Sequence, residues 1–105
     1  MEENINEINL IGYICKPVRY RETPLGRQVA DVFIAVNRSY GKSDYIPCIC
    51  WGRNARYASE LEVGQKLHLK GRIQSREYMK HLEDGEEETR VAYEVSASYV
   101  KEVEE

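Results

Sequence analysis

Apolar residues recur at every second position over four separate stretches of this chain, a period that fits strands with one buried face and excludes amphipathic helices there. Ile8, Leu10 and Ile14, with Gly12 between them, set the pattern within residues 5–14. Residues 29–36 repeat it, with Ala30, Val32, Ile34 and Val36 on one face and Asp31, Phe33, Ala35 and Asn37 on the other. In residues 45–51, Ile46, Cys48 and Cys50 share a face opposite Tyr45, Pro47, Ile49 and Trp51. A proline inside a strand belongs at an edge or a bulge, so Pro47 predicts irregular pairing there. Leu67, Leu69, Gly71, Ile73 and Ser75 then alternate with Lys66, His68, Lys70, Arg72, Gln74 and Arg76, giving a fourth strand with a basic second face. An acidic loop over residues 79–89 leads to a last strand over residues 90–100.

Between the third and fourth of these strands lies the one helical signal: Asn54 as a cap, Ala55, Ala58 and Leu61 on one face, and Gly64 just past the last turn. Pro17, Pro24 and Gly26 mark turns around a small irregular hairpin at residues 18–23, and residues 37–44 are turn material. An all-β chain of five strands with one short helix between strands 3 and 4 has the element order of an OB-fold, a five-stranded Greek-key barrel. The interior of such a barrel takes one face of every strand, as the alternation requires. SH3-like barrels and small sandwiches have similar strand counts, and the helix position favours the OB-fold. At 105 residues the chain is expected to hold one domain, residues 1–101, with a short acidic tail at 102–105.

Several functions are excluded or disfavoured at this level. No stretch approaches the roughly 18 apolar residues of a membrane-spanning helix. The acidic start, Met1-Glu2-Glu3-Asn4, is unlike a secretory signal and predicts a cytoplasmic protein. Cys48 and Cys50 are spaced for neither a redox pair nor a zinc knuckle, and Cys15 has no sequence-near partner; all three read as small buried hydrophobes. His68 and His81 have no arranged nucleophile or acid beside them. The expectation is a binding protein without catalysis, metal or cofactor.

A net charge of −3 argues against a nucleic-acid partner, but its distribution argues for one. Residues 16–80 carry thirteen Lys/Arg against six Asp/Glu, and the acid is gathered at the two ends. On faces the core does not need, aromatic and basic residues alternate. Tyr40 lies in a turn, Tyr45 and Trp51 on the outer face of strand three with Arg53 just beyond, and Tyr78 on the face of Arg72 and Arg76. Bases stack on aromatic rings whatever their identity, and Lys/Arg offset phosphate charge, so this interleaving is what sequence-tolerant binding of a single strand requires.

The segments Asn9-Leu10-Ile11-Gly12, Thr23-Pro24-Leu25-Gly26 on to Ala35-Val36-Asn37-Arg38, Asp44-Tyr45-Ile46-Pro47-Cys48-Ile49-Cys50-Trp51-Gly52, Gly71-Arg72-Ile73-Gln74-Ser75-Arg76-Glu77-Tyr78 and Glu94-Val95 together resemble the bacterial single-stranded-DNA-binding protein family, over residues 6–100. The resemblance implies an OB-fold binding single-stranded DNA in replication, recombination or repair. It places the stacking positions on Tyr40, Tyr45, Trp51 and Tyr78 and the phosphate contacts on Arg53, Arg76, Arg72, Lys42 and Arg38. It further implies a homo-oligomer, a tetramer in preference to a dimer, assembled on a first-strand edge at Asn6, Ile8 and Leu10. Family members usually continue into a Gly/Pro/Gln-rich linker with an acidic Pro-Phe tip; these residues include neither, so tail-mediated recruitment of replication proteins is not expected of them. The alternative reading is a primosome-like protein-interaction barrel with weak nucleic-acid binding, using the acidic loop at residues 83–88 as its contact.

Overall fold

The computed structural model describes residues 3–104. Six strands form, β1 (Ile8–Ile14), β2 (Arg19–Glu22), β3 (Gln28–Asn37), β4 (Ser43–Trp51), β5 (Lys66–His81) and β6 (Glu87–Glu102), with one helix, α1 (Arg53–Ser59), between β4 and β5. Five of them close a ring in the order β1, β5, β6, β4, β3 and back to β1. The expected five-stranded barrel with its helix between the third and fourth ring strands is therefore present. The irregular hairpin expected at residues 18–23 is instead a sixth strand, β2, which lies outside the ring.

How β2 fits explains the local architecture. One flank of β3 is taken along its whole length by β4. Its other flank is divided, with β2 on Gln28 to Asp31 and β1 on Ile34 and Ala35. The chain crosses from β1 to β2 in the gap between, beside Phe33, where the Cys15 N–H donates to the Phe33 carbonyl at 3.0 Å. Pro47 is accommodated in β4 because that strand meets β6 only at Cys48 and Ile49, leaving its flank open at the proline.

The buried faces are those the alternation marks. Ile14, Val32, Ile34, Leu67 and Leu69 are essentially inaccessible, joined by Cys48, Cys50 and Val95, and among the described residues no polar side chain is buried with them. Ala55 and Ala58 turn one side of α1 into this core. The helix is not capped by Asn54 as expected. Gly52 is its N-cap, at φ 57°, with no side-chain bond, because β4 reverses into α1 within a single residue and only glycine takes that conformation without strain. At the other end α1 stops at Ser59, short of Leu61 and Gly64.

β5 and β6 are each 16 residues long and outrun the barrel. β1 accompanies β5 only as far as Gly71, and β4 meets β6 no lower than Cys48 opposite Val95, so residues 72–94 form a two-stranded arm. A register shift between Lys70 and Gly71 begins it, and a side chain at Gly71 would place Cβ 2.0 Å from the Ser96 carbonyl oxygen. The acidic loop expected over residues 79–89 shrinks to the tip at 82–86, since Lys80 faces Glu88 and His81 faces Glu87 across the ladder. Asn6 lies before β1 rather than within it. Its amide donates to the Ile73 carbonyl at 2.8 Å and its Oδ1 accepts the Ile73 N–H at 2.9 Å, so it clamps the root of the arm. Among the described residues no helix is long and apolar enough to cross a membrane.

Candidate nucleic-acid interface

Because the inner face of β3 and β4 is spent on the core, their outer face is left to carry Asp31, Phe33, Ile49 and Trp51. The β1–β2 crossing and β2 wall it on one side and the arm on the other, forming a groove of about 610 Å³. Phe33, Pro47, Ile49 and Trp51 give it an apolar floor, and Lys16, Arg19, Arg21 and Arg76 line its rim. Two of the aromatic rings carry a cation. The Arg27 guanidinium lies 4.4 Å from the Trp51 ring centre, and the Lys16 ammonium 4.7 Å from that of Phe33. Arg27 itself is outside the groove lining, so its contact with the indole is made by a residue the groove does not otherwise use.

The cations divide by what already holds them. Arg21 reaches Asp31 at 3.5 Å and Arg76 reaches Glu94 at 2.9 Å, both within the groove, while Arg38 is tied to Asp44 at 3.2 Å. Glu94, with its side chain 11% exposed, also accepts a hydrogen bond from the Gln74 amide at 3.0 Å. Lys16, Arg19, Lys42, Arg53 and Arg72 have no carboxylate partner among the described residues. An approaching phosphate finds the second group ready, whereas the first must exchange one anion for another.

Of the sequence-predicted residues, the structure brings Trp51 and Arg76 together in the groove. Tyr78 is two positions beyond Arg76 on the same face of the arm, opposite Arg90, and Arg72 shares that face nearer the barrel. Arg53 opens α1 two residues after Trp51. Tyr45 lies on the outer face of β4 but lines a separate apolar cleft with Tyr93 and Ile73. Tyr40 is 99% exposed in a tight turn over Ser39–Gly41, its backbone left-handed at φ 67°, with Arg38 and Lys42 flanking it. Ile8 and Leu10 pack partly against the core, and among the described residues β1 between Ile8 and Gly12 has a partner strand on one flank only. Sequence reasoning missed Lys16, Arg19, Arg21, Arg27 and Phe33. Phe33 was visible on the polar face of its strand, but its neighbours arrive only through the pairing of β2.

Cys48 and Cys50 are buried in the core as expected, Cys48 also reaching the groove lining. Cys15, expected to be buried with them, is only half-buried and lies outside the core because it sits on the crossing from β1 to β2. Burial, reinforced by each thiol's anionic neighbours, pushes Cys48 and Cys50 up to about 12, so neither offers a thiolate at neutral pH. Among the described residues no three His, Cys, Asp or Glu gather as metal ligands.

Comparison with known proteins gives the geometry its context. Residues 5–103 match the sequence model of the single-strand binding protein family. Single-stranded DNA-binding protein 1 of Streptococcus pyogenes is 36% identical over 81 residues, covering 70% of this chain and 62% of that protein. Single-stranded DNA-binding protein A of Bacillus subtilis is 35% identical over 81 residues, covering 70% and 47%. Single-stranded DNA-binding protein B of the same organism is 35% identical over 80 residues, covering 70% and 71%. Against several further single-stranded DNA-binding proteins, as against protein A, the match spans only about half of the curated protein.

Proposed function

The chain belongs to the single-strand binding protein family, whose fold is the OB-fold, and on that premise we propose that it binds single-stranded DNA irrespective of sequence, in DNA replication, recombination or repair in the cytoplasm. The observation that carries this reading is Trp51 in the floor of a groove rimmed by Lys16, Arg19, Arg21 and Arg76. A base laid on the indole gains stacking energy regardless of its identity, and each phosphate met by a cation releases bound counterions. Tyr78, Tyr45 and Tyr40 extend the stacking path beyond the groove, and Arg53, Arg72, Lys42 and Arg38 supply phosphate contacts along it. The protein's work is binding rather than catalysis. It assembles as a homo-oligomer, a tetramer in preference to a dimer, with the open flank of β1 beside Ile8 and Leu10 pairing with a second copy.

The single tryptophan makes the test direct. Poly-thymidine titrated into the protein at rising salt should quench Trp51 emission to saturation, with an affinity that falls steeply as salt increases, and Trp51→Ala should bind at least about tenfold more weakly. Emission unchanged at every salt concentration would remove the reading in favour of a protein partner for the acidic tip. Sedimentation of the free protein tests the assembly: a monomer at working concentration overturns it.

A further inference from the structure

We propose that Phe33 and Lys16 form a second nucleotide subsite in the groove, in which one base of the bound strand stacks on the Phe33 ring in the place the Lys16 ammonium holds over it, and the displaced ammonium meets that nucleotide's phosphate. The proposal rests on the reading of the groove as a single-strand site and adds a position to it.

Phe33 is not needed by the core. Its neighbours in β3, Val32 and Ile34, are fully buried on the inner face, whereas Phe33 points outward, lies outside the core cluster and lines the groove. A half-buried phenyl ring on an outer sheet face leaves apolar surface in a polar groove, which is where an aromatic ligand gains most. Directly across the ladder stands Pro47, which continues that surface. Lys16 is held over the ring by the fold. The division of the β3 flank between β1 and β2 forces the chain to cross beside Phe33, and the Cys15 N–H bond to the Phe33 carbonyl pins the residue before Lys16 there. The ammonium has no carboxylate partner among the described residues, and it lines the groove, so a phosphate reaches it without displacing an anion.

The arrangement repeats the one at Trp51, where an aromatic ring is likewise paired with a cation. Phe33 faces Pro47, four residues along β4 from Trp51, a separation of about 13 Å at about 3.3 Å per residue. Two bases of one strand can therefore occupy the two rings without competing for either. Both rings belong to the same apolar floor, which ties them to one bound strand rather than two.

The test uses three variants and two readouts, Trp51 quenching by a poly-thymidine oligonucleotide at several salt concentrations and thermal unfolding of the free protein. Phe33→Leu keeps an apolar side chain and loses the π-face; it should bind roughly tenfold more weakly, with saturating quenching of Trp51 and the salt dependence unchanged. Phe33→Tyr should bind as the unsubstituted protein does, which a loss caused by altered packing would not predict. Lys16→Gln should flatten the slope of log affinity against log salt by about 0.7, the share of one cation on a single strand. If Phe33→Leu binds as tightly as the unsubstituted protein while Trp51 is still quenched, the subsite is refuted and the parent reading stands. If Lys16→Gln leaves the slope intact, the lysine has no part in it. An absence of Trp51 quenching in the unsubstituted protein removes the parent reading instead.

Discussion

At the scale of single residues, the groove's ionic chemistry turns on Glu94. Its carboxylate holds Arg76 at 2.9 Å and Gln74 at 3.0 Å, so a phosphate that takes Arg76 must first outcompete an anion already in place. Replacing it by Glu94→Gln removes the competitor while keeping a side chain that can bond Gln74. Affinity for single-stranded DNA at low salt should rise several-fold and the salt slope should steepen by about 0.7, both read from the Trp51 titration. A slope and affinity identical to the parent would mean that Arg76 never leaves Glu94. Trp51, Arg76 and Tyr78 were legible in the sequence because alternation alone decides which side of a strand a residue takes. Lys16 and Arg27 were not, because each meets its ring across a pairing between separate segments that no local period encodes.

At the scale of elements, the arm is where pattern reading and structure part. The inner faces of the ring strands were legible because burial imposes a strict period of two. Residues 79–89 carry five acidic side chains among eleven, the signature of a solvated turn, yet all but 82–86 are strand. What holds them is the partner opposite. His81 pairs with Glu87 at 3.3 Å, Lys80 faces Glu88, and Arg90 reaches Glu88 at 3.1 Å along its own strand. The cross-strand pairs among these are each worth only about 0.2–1 kcal/mol, and beyond Gly71 no third strand among the described residues reinforces them. Backbone amides in residues 72–94 should therefore exchange with deuterium well before those of β1 and of the part of β5 that β1 covers. Uniform protection along β5, measured by hydrogen exchange, would mean that the outer part of the arm is held by more than its two strands.

At the scale of the whole molecule, the arm makes the chain extended: the radius of gyration is 15.6 Å, against about 13 Å for a compact domain of this size. The core that remains is small and contains two thiols whose ionisation burial opposes. Their raised values, about 12 against an ordinary 9.0, mean that the unfolded chain loses these protons first as the solution becomes alkaline. The associated stability is intact below about pH 9 and is lost progressively toward pH 12. A Cys48→Ala, Cys50→Ala double variant, less stable at neutral pH, should show a shallower alkaline decline in melting temperature than the parent; parallel declines would count against the effect. The ring's connectivity has a consequence for how it forms. β5 and β6 are joined by a five-residue tip and can zip together locally, but β6 is also what links β5 to β4, and β1 meets β5 across more than fifty intervening residues. Until the last strand is placed, β3 and β4 expose an unpaired edge and an apolar face together. The folding barrier is thus the entropy of closing that circle, and the vulnerable species is the open sheet waiting for its final member.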